Sequence, residues 1–412
     1  MPQTLAQKLV ARAAGRAAVT PGEIVTCKVD LAMVHDSSGP RRLKPRLERL
    51  GAKVWDPSKV VVITDHYLPA YDDESRRIIQ IARDWVKEAG VGAFYDAQGI
   101  CHVVLPERGH LAPGMFAVGG DSHSPTGGAF AAYMFGVGAT EMLGVMVTGE
   151  IWLKVPHTIA MDFDGRLGPG VSAKDIMLLL IGRFGMDGGG YQAVEYRGPA
   201  IRALSMQERM TLCNMTAELG GQTGLIASDS TTKEFLNRKI EMWDSDPDAP
   251  LLAHHKFDAG ELAPQVAAPH SPANTRSVAD FREKVDLAYI GACTGAKLED
   301  LRMAASVLKG RKSKVKLLVA PASLRDQQAA KKEGTLGVLL DAGAELLASS
   351  CGMCAGYGEN LLAEGTVAIS TTARNFKGRM GSPSAQVYLA SPYTVAASAV
   401  AGRIADPREL LA

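Results

Sequence analysis

The last third of the chain constrains the fold most, because short apolar runs alternate there with amphipathic helical segments. The pattern predicts strand Leu287–Ile290, helix Leu298–Leu308, strands 314–319, Val367–Ser370 and 387–389, and helix 394–401. Strands that alternate with helices are typical of βα units and therefore of a mostly parallel sheet. Such sheets bind ligands at the carboxyl ends of their strands, so the loops that follow these strands are the first candidates for a site.

The rest of the chain divides at a segment without periodicity. Residues 1–243 mix β-rich runs, such as 60–63, with helical patterns, such as 75–89. Residues 244–280 are rich in Pro, Ala, Asp and His, which predicts a linker or a long crossing segment. Residues 281–412 then form a C-terminal α/β domain. The predicted fold class is α/β.

The composition is that of an ordinary globular protein. A formal net charge of +1 over 412 residues argues against nucleic acid or an anionic membrane as a partner. No apolar run approaches the roughly 20 residues that cross a bilayer. The six cysteines lack a disulfide-like spacing and fit a reducing compartment, so we predict a cytoplasmic protein. The basic N-terminus loosely resembles a transit peptide, but Thr4 before a periodic apolar face fits a capped helix better.

Three cysteines and two arginines fall in the loops of the C-terminal region. Cys293 follows the first predicted strand there, Cys351 and Cys354 form a Cys-Gly-Met-Cys motif, and Arg374 and Arg379 share a later loop. Three thiolates can hold a cubane iron–sulfur cluster and leave one iron open as a Lewis acid. A guanidinium fork matches a carboxylate. The pattern indicates a hydro-lyase for a small hydroxy acid, although Cys-x-x-Cys alone also occurs in redox pairs, zinc sites and structural positions.

Histidines stand next to acids or a cysteine in the first 243 residues. The groups are Asp65-His66, Cys101-His102 and Asp121-Ser122-His123. Each group alone is more typical of structural residues than of a catalytic dyad. Their joint occurrence after strand-like runs nevertheless indicates a site.

A polar pair interrupts an otherwise apolar helical pattern. Asn214 and Glu218 are spaced i and i+4, so we expect them to share a helix face turned towards the site. His157 lies in a strand-like run, 151–159, and is predicted to be packed. Three further histidines lie in the predicted linker and are expected to do no chemistry: His254, His255 and His270.

Taken together, these segments resemble the aconitase superfamily over essentially the whole chain. The likeness is to the large subunits of 3-isopropylmalate dehydratase and of homoaconitase-type enzymes. It rests on several motifs in the same order: Gly120-Asp-Ser-His123, Cys213-Asn-Met, Cys351-Gly-Met-Cys354 and Arg374-Asn-Phe-Lys-Gly-Arg-Met-Gly-Ser382. The resemblance implies aconitase-like three-layer α/β domains, two of them intertwined in residues 1–243, without the C-terminal swivelling domain.

The resemblance also implies a role for each candidate residue. Three cysteines would ligate a 4Fe–4S cluster whose fourth iron binds the substrate's hydroxyl group and one carboxylate: Cys293, Cys351 and Cys354. His66, oriented by Asp65, would protonate the departing hydroxyl group. The remaining catalytic residues would surround or support the iron-bound water: His102, Asp121, His123 and Glu218. The substrate-binding residues would be Ser122, Asn214, Arg374 and Arg379.

The resemblance further implies a partner. Single-chain aconitases carry a mobile C-terminal domain that supplies a serine base, and no Gly-Ser-Ser-Arg-like segment occurs before Ala412. We therefore expect a small swivelling-domain subunit that completes the pocket in a heterodimer or heterotetramer. Five residues depart from the family's usual pattern near the proposed site: Pro125, Gly127, Ala292, Gly295 and Ala373. The cluster ligands are retained, so the cluster is still expected.

Three functions remain open at this point. The first is a dehydratase acting on a hydroxy di- or tricarboxylate, either like 3-isopropylmalate dehydratase or on homoaconitate, citramalate, dimethylmalate or maleate. The second is an iron sensor that binds RNA when its cluster is lost, against which the absence of a basic stripe argues. The third is a zinc-stabilised scaffold with degenerate catalytic residues.

Overall fold

A computed structural model describes residues 1–411 and confirms the predicted α/β class. The strands in this range are β1 Ile24–Lys28, β2 Leu31–His35, β3 Val60–Thr64, β4 Ala93–Asp96, β5 Phe116–Gly119, β6 Tyr133–Gly136, β7 Glu150–Lys154, β8 Thr158–Asp164, β9 Ala193–Arg197, β10 Thr223–Leu225, β11 Ala253–Asp258, β12 Gln265–Ala267, β13 Thr275–Ser277, β14 Leu287–Ile290, β15 Lys316–Val319, β16 Ala344–Leu346, β17 Val367–Ser370 and β18 Gln386–Ala390.

The helices connect these strands. They are α1 Leu5–Ala13, α2 Pro40–Leu50, α3 Asp73–Ala89, α4 Cys101–Glu107, α5 Ala139–Thr148, α6 Ala173–Phe184, α7 Pro199–Arg202, α8 Met206–Met215, α9 Ser230–Leu236, α10 Leu298–Leu308, α11 Leu324–Glu333, α12 Thr335–Asp341 and α13 Pro392–Ala401. Thr4 forms a capping box with Gln7 at the start of α1, as the sequence predicts. None of the helices described is both long enough and apolar enough to cross a bilayer.

The strands form three larger sheets and one ribbon. A five-stranded parallel sheet has the order β4-β3-β2-β5-β6, and a four-stranded parallel sheet has the order β10-β9-β8-β11. A seven-stranded sheet, β13-β12-β18-β17-β14-β15-β16, is parallel except where β12 pairs with β13 and β18. Strands β1 and β7 pair antiparallel in the ribbon. The predicted parallel sheet of the C-terminal region is thus confirmed.

Alternation along the five-stranded sheet ties the sheets together. In β2, Met33 belongs to a core shared with the four- and seven-stranded sheets, whereas Val34 belongs to a second core on the opposite face. In β3, Ile63 and Val62 divide in the same way. A strand buried on both faces reads as a continuous apolar run. The shared core therefore sets how the carboxyl end of this sheet meets the other sheets.

Two segments differ from their sequence predictions. Residues 244–280 do cross between sheets, but they contain β11, which extends the four-stranded sheet, and β12 and β13, which extend the seven-stranded sheet. We propose that the boundary between the N-terminal region and the C-terminal domain lies in this crossing segment. The prediction of a single strand over 151–159 is wrong, because this run divides into β7, which lies in the ribbon, and β8, which lies in the four-stranded sheet. His157 lies between them and is exposed rather than packed.

Candidate active site

A cavity of about 240 Å³ lies where the carboxyl ends of the five- and seven-stranded sheets meet. Ten of the predicted site residues line it: His66, His102, Asp121, Ser122, His123, Cys293, Cys351, Cys354, Arg374 and Arg379. The other three, Asp65, Asn214 and Glu218, are buried behind this lining. The structure therefore brings all of the predicted residues together, at the strand ends where parallel sheets bind ligands.

The three cysteines come from two loops of the seven-stranded sheet. Cys293 follows β14, and its Sγ accepts a hydrogen bond from Nδ2 of Asn214 at 3.2 Å. Cys351 and Cys354 flank or lie in a 3₁₀ turn, Gly352–Ala355, after β16. The backbone N–H of Cys351 donates to the carbonyl of Asp65 at 2.8 Å, which ties this turn to the loop after β3. All three cysteines are free thiols.

The environment of these thiols suits a metal group. A hydrogen bond from the Cys351 thiol holds the pKa of Cys354 well below its ordinary value. Burial raises the pKa of Cys293 to about 12, so this thiol ionises only when a nearby cation compensates the thiolate. Bound metal supplies such a charge and displaces the protons. Three free thiols on one cavity could therefore hold an iron–sulfur cluster through three of its irons.

The loop after β3 supplies a histidine with a buried carboxylate partner. Oδ1 of Asp65 lies 2.6 Å from Nδ1 of His66, and its Oδ2 accepts the N–H of Cys101 at 2.7 Å. Burial opposes the imidazolium, yet Asp65 raises the pKa of His66 to about 10. His66 is therefore protonated at neutral pH, and its side chain lines the cavity.

A second network runs from α4 to the arginine loop. Oδ1 of Asp121 accepts from Nε2 of His102 at 2.7 Å and from the N–H of His123 at 2.8 Å. Nε2 of His123 lies 2.9 Å from Oε1 of Glu218, and the same oxygen accepts from Nε of Arg374 at 2.6 Å. The chain of contacts fixes both histidines and one arginine relative to one another.

The prediction that Asn214 and Glu218 share one helix face is wrong. Helix α8 ends at Met215, and the chain turns through Gly220, which has a φ of +80°. Glu218 lies in that turn. The hydroxyl group of Thr216 donates to the carbonyl of Leu212, a local side-chain bond of a kind that competes with helix continuation. Both predicted side chains still reach the site, but from different elements.

Two neighbours of the site were missed by sequence reasoning. His35 stacks on His66 with ring centroids 3.9 Å apart, and burial lowers the pKa of His35 to about 4. Asp36 accepts the backbone N–H groups of Asp65, His66 and Tyr67 at 3.0, 3.1 and 2.7 Å. The available signal was their position at the end of the apolar run of β2, which places polar groups at the same sheet edge.

Nitrogen and oxygen donors form a second possible metal group. His102, Asp121 and His123 offer ligand atoms that all lie within 4.8 Å of one another. Imidazole and carboxylate ligands suit zinc or iron. These three residues line the same cavity as the thiols.

The unusual glycine near the first cysteine has a packing reason. A Cβ at Gly295 would lie 2.1 Å from Cβ of Thr371, so no larger residue fits there. Ala292, with a φ of +70°, and Ala373 are both buried, and both line the cavity. Methyl groups stand in the cavity wall at these two positions.

The fold and the cavity define an α/β enzyme whose site combines free thiols, histidine–carboxylate pairs and two arginines. A family model described as "Aconitase family (aconitate hydratase)" matches residues 7–284 and 278–402. The chain belongs to the aconitase family. The predicted resemblance and the predicted enzyme class, a hydro-lyase, are thereby confirmed.

Relatives match along the full length of the chain. It is 44% identical over 420 residues to the 3-isopropylmalate dehydratase large subunit 1 of Methanopyrus kandleri, with 100% of both chains covered. It is 46% identical over 388 residues to the probable methanogen homoaconitase large subunit of Methanosarcina mazei, covering 93% of this chain and 99% of the relative. The crystal structure of holo-form aconitase X from Thermococcus kodakaraensis covers 85% of this chain and 84% of its own, at 13% identity and a TM-score of 0.48.

Proposed function

We propose that this chain is the cluster-binding large subunit of a hydro-lyase that reversibly dehydrates a small hydroxy acid with at least two carboxylates. One observation carries the proposal. Groups suited to iron, to proton transfer and to carboxylates line a single cavity of about 240 Å³.

The cofactor would be a 4Fe–4S cluster with one iron free of protein ligands. Cys293, Cys351 and Cys354 would hold it, and three free thiols on one cavity, with Arg379 bonded to the carbonyl of Cys354, support this assignment. When bound, a cluster of this kind supplies Lewis acidity towards the hydroxyl group that leaves the substrate.

His66 would deliver the proton that the leaving hydroxyl group needs. Its Nδ1 is held by Asp65 at 2.6 Å, so the transferable proton is the one on Nε2. Asp65 keeps the imidazole charged and orients it, which is how a buried carboxylate assists a histidine acid. Asp121, linked to His102 and His123, would hold the water that is removed or added.

Arg374 and Arg379 would bind the carboxylates of the substrate. Each arginine is anchored through Nε, Arg374 on Glu218 and Arg379 on the carbonyl of Cys354 at 2.8 Å. Within the described part of the chain, their terminal nitrogens make no hydrogen bond, so each keeps donors for a carboxylate. Ser122 and Asn214 would supply further polar contacts or support.

The cavity wall favours an acid with an apolar substituent. Ile100, Ala292, Ala355 and Ala373 line it beside the two arginines. An apolar wall leaves a third carboxylate without a partner, which is costly. We therefore place a branched hydroxy diacid of the 3-isopropylmalate type first. Homoaconitate, citramalate, dimethylmalate and maleate are the alternatives.

A small swivelling-domain subunit would complete the enzyme. The relatives are named large subunits, and Ser122, the serine that lines this cavity, would bind substrate rather than act as the base. We propose a heterodimer or heterotetramer with such a partner. Six free cysteines fit a reducing compartment, which supports a cytoplasmic location.

The test is anaerobic co-purification with the small subunit, followed by iron and sulfide analysis and a panel of hydroxy diacids monitored by absorbance of the unsaturated product. Cys351→Ser should lose the cluster and the activity while keeping its fold. Cys27→Ser, at a buried thiol outside the cavity, is the matched control and should keep both. Brown colour, iron and sulfide that persist in Cys351→Ser would refute the assignment. Zinc without sulfide in the unmodified protein would favour the scaffold hypothesis.

A further inference from the structure

Two buried lysines contact the loop that contains Cys293, and they differ in how their charge is balanced. Nζ of Lys297, with no exposed surface, pairs with Oδ2 of Asp300 at 2.6 Å and donates to the carbonyl of Cys293 at 2.9 Å. Nζ of Lys174, only 1% exposed, donates to Oγ1 of Thr294 at 3.2 Å and to the carbonyls of Thr371 and, at 2.7 Å, Thr372. In residues 1–411 these are its hydrogen-bond partners, and all of them are neutral.

A buried ammonium group with only neutral partners is energetically expensive. Moving a cation out of water costs several kcal/mol unless an anion nearby compensates it. Burial lowers the pKa of Lys174 to about 8, while the carboxylate of Asp300 acts in the opposite direction. Asp300 is already paired with Lys297. A negatively charged group bound at the loop of Cys293 and Thr294 would therefore balance the charge of Lys174.

The position of Lys174 also links separate parts of the site. It lies in the first turn of α6, the helix that comes after β8 of the four-stranded sheet. Its partners belong to loops at the carboxyl ends of two neighbouring strands, β14 and β17, of the seven-stranded sheet. One loop contains Cys293 immediately before Thr294, and the other leads through Thr372 to Arg374.

We propose that Lys174 is a positioning residue whose ammonium group serves as the counter-ion of the cluster and its three thiolates. This inference rests on the proposed function, because it requires the cluster to bind at these thiols. A cubane core with three thiolates carries a net negative charge, which becomes larger on reduction. Lys174 and the bound cluster would therefore stabilise each other, whereas without the cluster the buried ammonium group has only neutral hydrogen-bond partners in residues 1–411.

The proposal predicts effects of opposite sign in the two forms of the full-length protein. In the cluster-free form, Lys174→Gln removes an unbalanced charge and keeps an amide donor for the carbonyls, so the melting temperature should be unchanged or higher. In the loaded form, the same variant should release iron on oxidation or chelation about tenfold faster, because an attractive charge has been removed. Its reduction potential should shift to a more negative value, since the reduced cluster loses more stabilisation than the oxidised cluster.

Two further variants separate charge from packing. Lys174→Arg retains the charge, so cluster release should stay within about threefold of the unmodified protein. Lys297→Gln is the matched control at the second buried lysine. It leaves Asp300 without its cationic partner, so it should lower the melting temperature of the cluster-free and loaded forms alike.

The outcomes distinguish this inference from the function on which it rests. Absence of iron and sulfide in the unmodified protein overturns the proposed function. If that protein is loaded but Lys174→Gln releases iron at the same rate, the counter-ion inference is wrong. It is also wrong if Lys174→Gln lowers the melting temperature of the cluster-free form, or prevents it from folding, because the ammonium group would then be needed for the fold itself.

Discussion

Replacing Glu218 by Gln tests whether the charge of this side chain holds the two walls of the cavity together. Glu218 is 1% exposed, and its Oε1 accepts from His123 at 2.9 Å and from Arg374 at 2.6 Å. A glutamine has nearly the same shape and can keep an oxygen at that position. The substitution therefore removes the charge while leaving both hydrogen bonds possible.

The expected cost follows from the burial of the pair. Burial disfavours the carboxylate, yet His123 and Arg374 hold the pKa of Glu218 below its ordinary value, so the group is charged at neutral pH. Removing one partner of a buried ion pair typically costs about 3–5 kcal/mol, because the other charge stays in a medium of low dielectric constant. Since the amide keeps a hydrogen bond, we expect the lower limit, about 3 kcal/mol of unfolding free energy. Arg374 also loses its anchor, so KM should rise.

A second buried glutamate provides the control. Glu195 on β9 is fully buried, but its one hydrogen-bond partner among the described residues is Oγ of Ser245 at 2.7 Å, and burial raises its pKa. Glu195→Gln should therefore change the free energy of unfolding by less than about 1 kcal/mol. Urea unfolding at pH 7, with all variants in the same cluster state, measures both. If Glu218→Gln loses no more stability than Glu195→Gln, the charge-based reasoning is refuted.

Three other predictions concern pH, backbone approach and substrate binding. Burial raises the pKa of Glu107 from 4.5 to about 7, so the stability this group contributes below pH 4.5 is lost as the pH rises through 7. Glu107→Gln should abolish up to about 3 kcal/mol of that pH dependence in urea unfolding, and an unchanged slope would exclude Glu107 as its source. A Cβ at Gly136 would lie 2.5 Å from the carbonyl oxygen of Asp121, so Gly136→Ala should cost about 1–3 kcal/mol and lower kcat, whereas Gly144→Ala, with open space around it, should do neither. Arg379→Lys should raise KM because a point charge cannot form the two parallel bonds of a guanidinium group; an unchanged KM would remove Arg379 from the site.

Several features could be predicted from the sequence because their causes are local. The strands Leu287–Ile290 and Val367–Ser370 and the helix Leu298–Leu308 have the predicted bounds, since periodicity and flanking turns act within a few residues. The same holds for the α1 cap at Thr4. The cysteines and arginines were found because ligand types and spacing are visible in a linear chain. Their convergence followed from one rule, that parallel strands present their carboxyl ends at one edge.

Local reasoning failed where contacts distant in sequence decide the outcome. Tertiary packing determines that α8 ends before Glu218. It also determines that residues 151–159 contribute to two strands in different sheets. The stacking of His35 on His66 and the neutral partners of Lys174 join residues that no sequence window contains.

The sequence by itself therefore determined the order of strands and helices and the identity of the groups at their ends. Only the tertiary structure decided which of those groups are charged, paired or left without a counter-ion. The physical reason is that a pKa and a buried charge depend on the dielectric and the neighbours that packing creates.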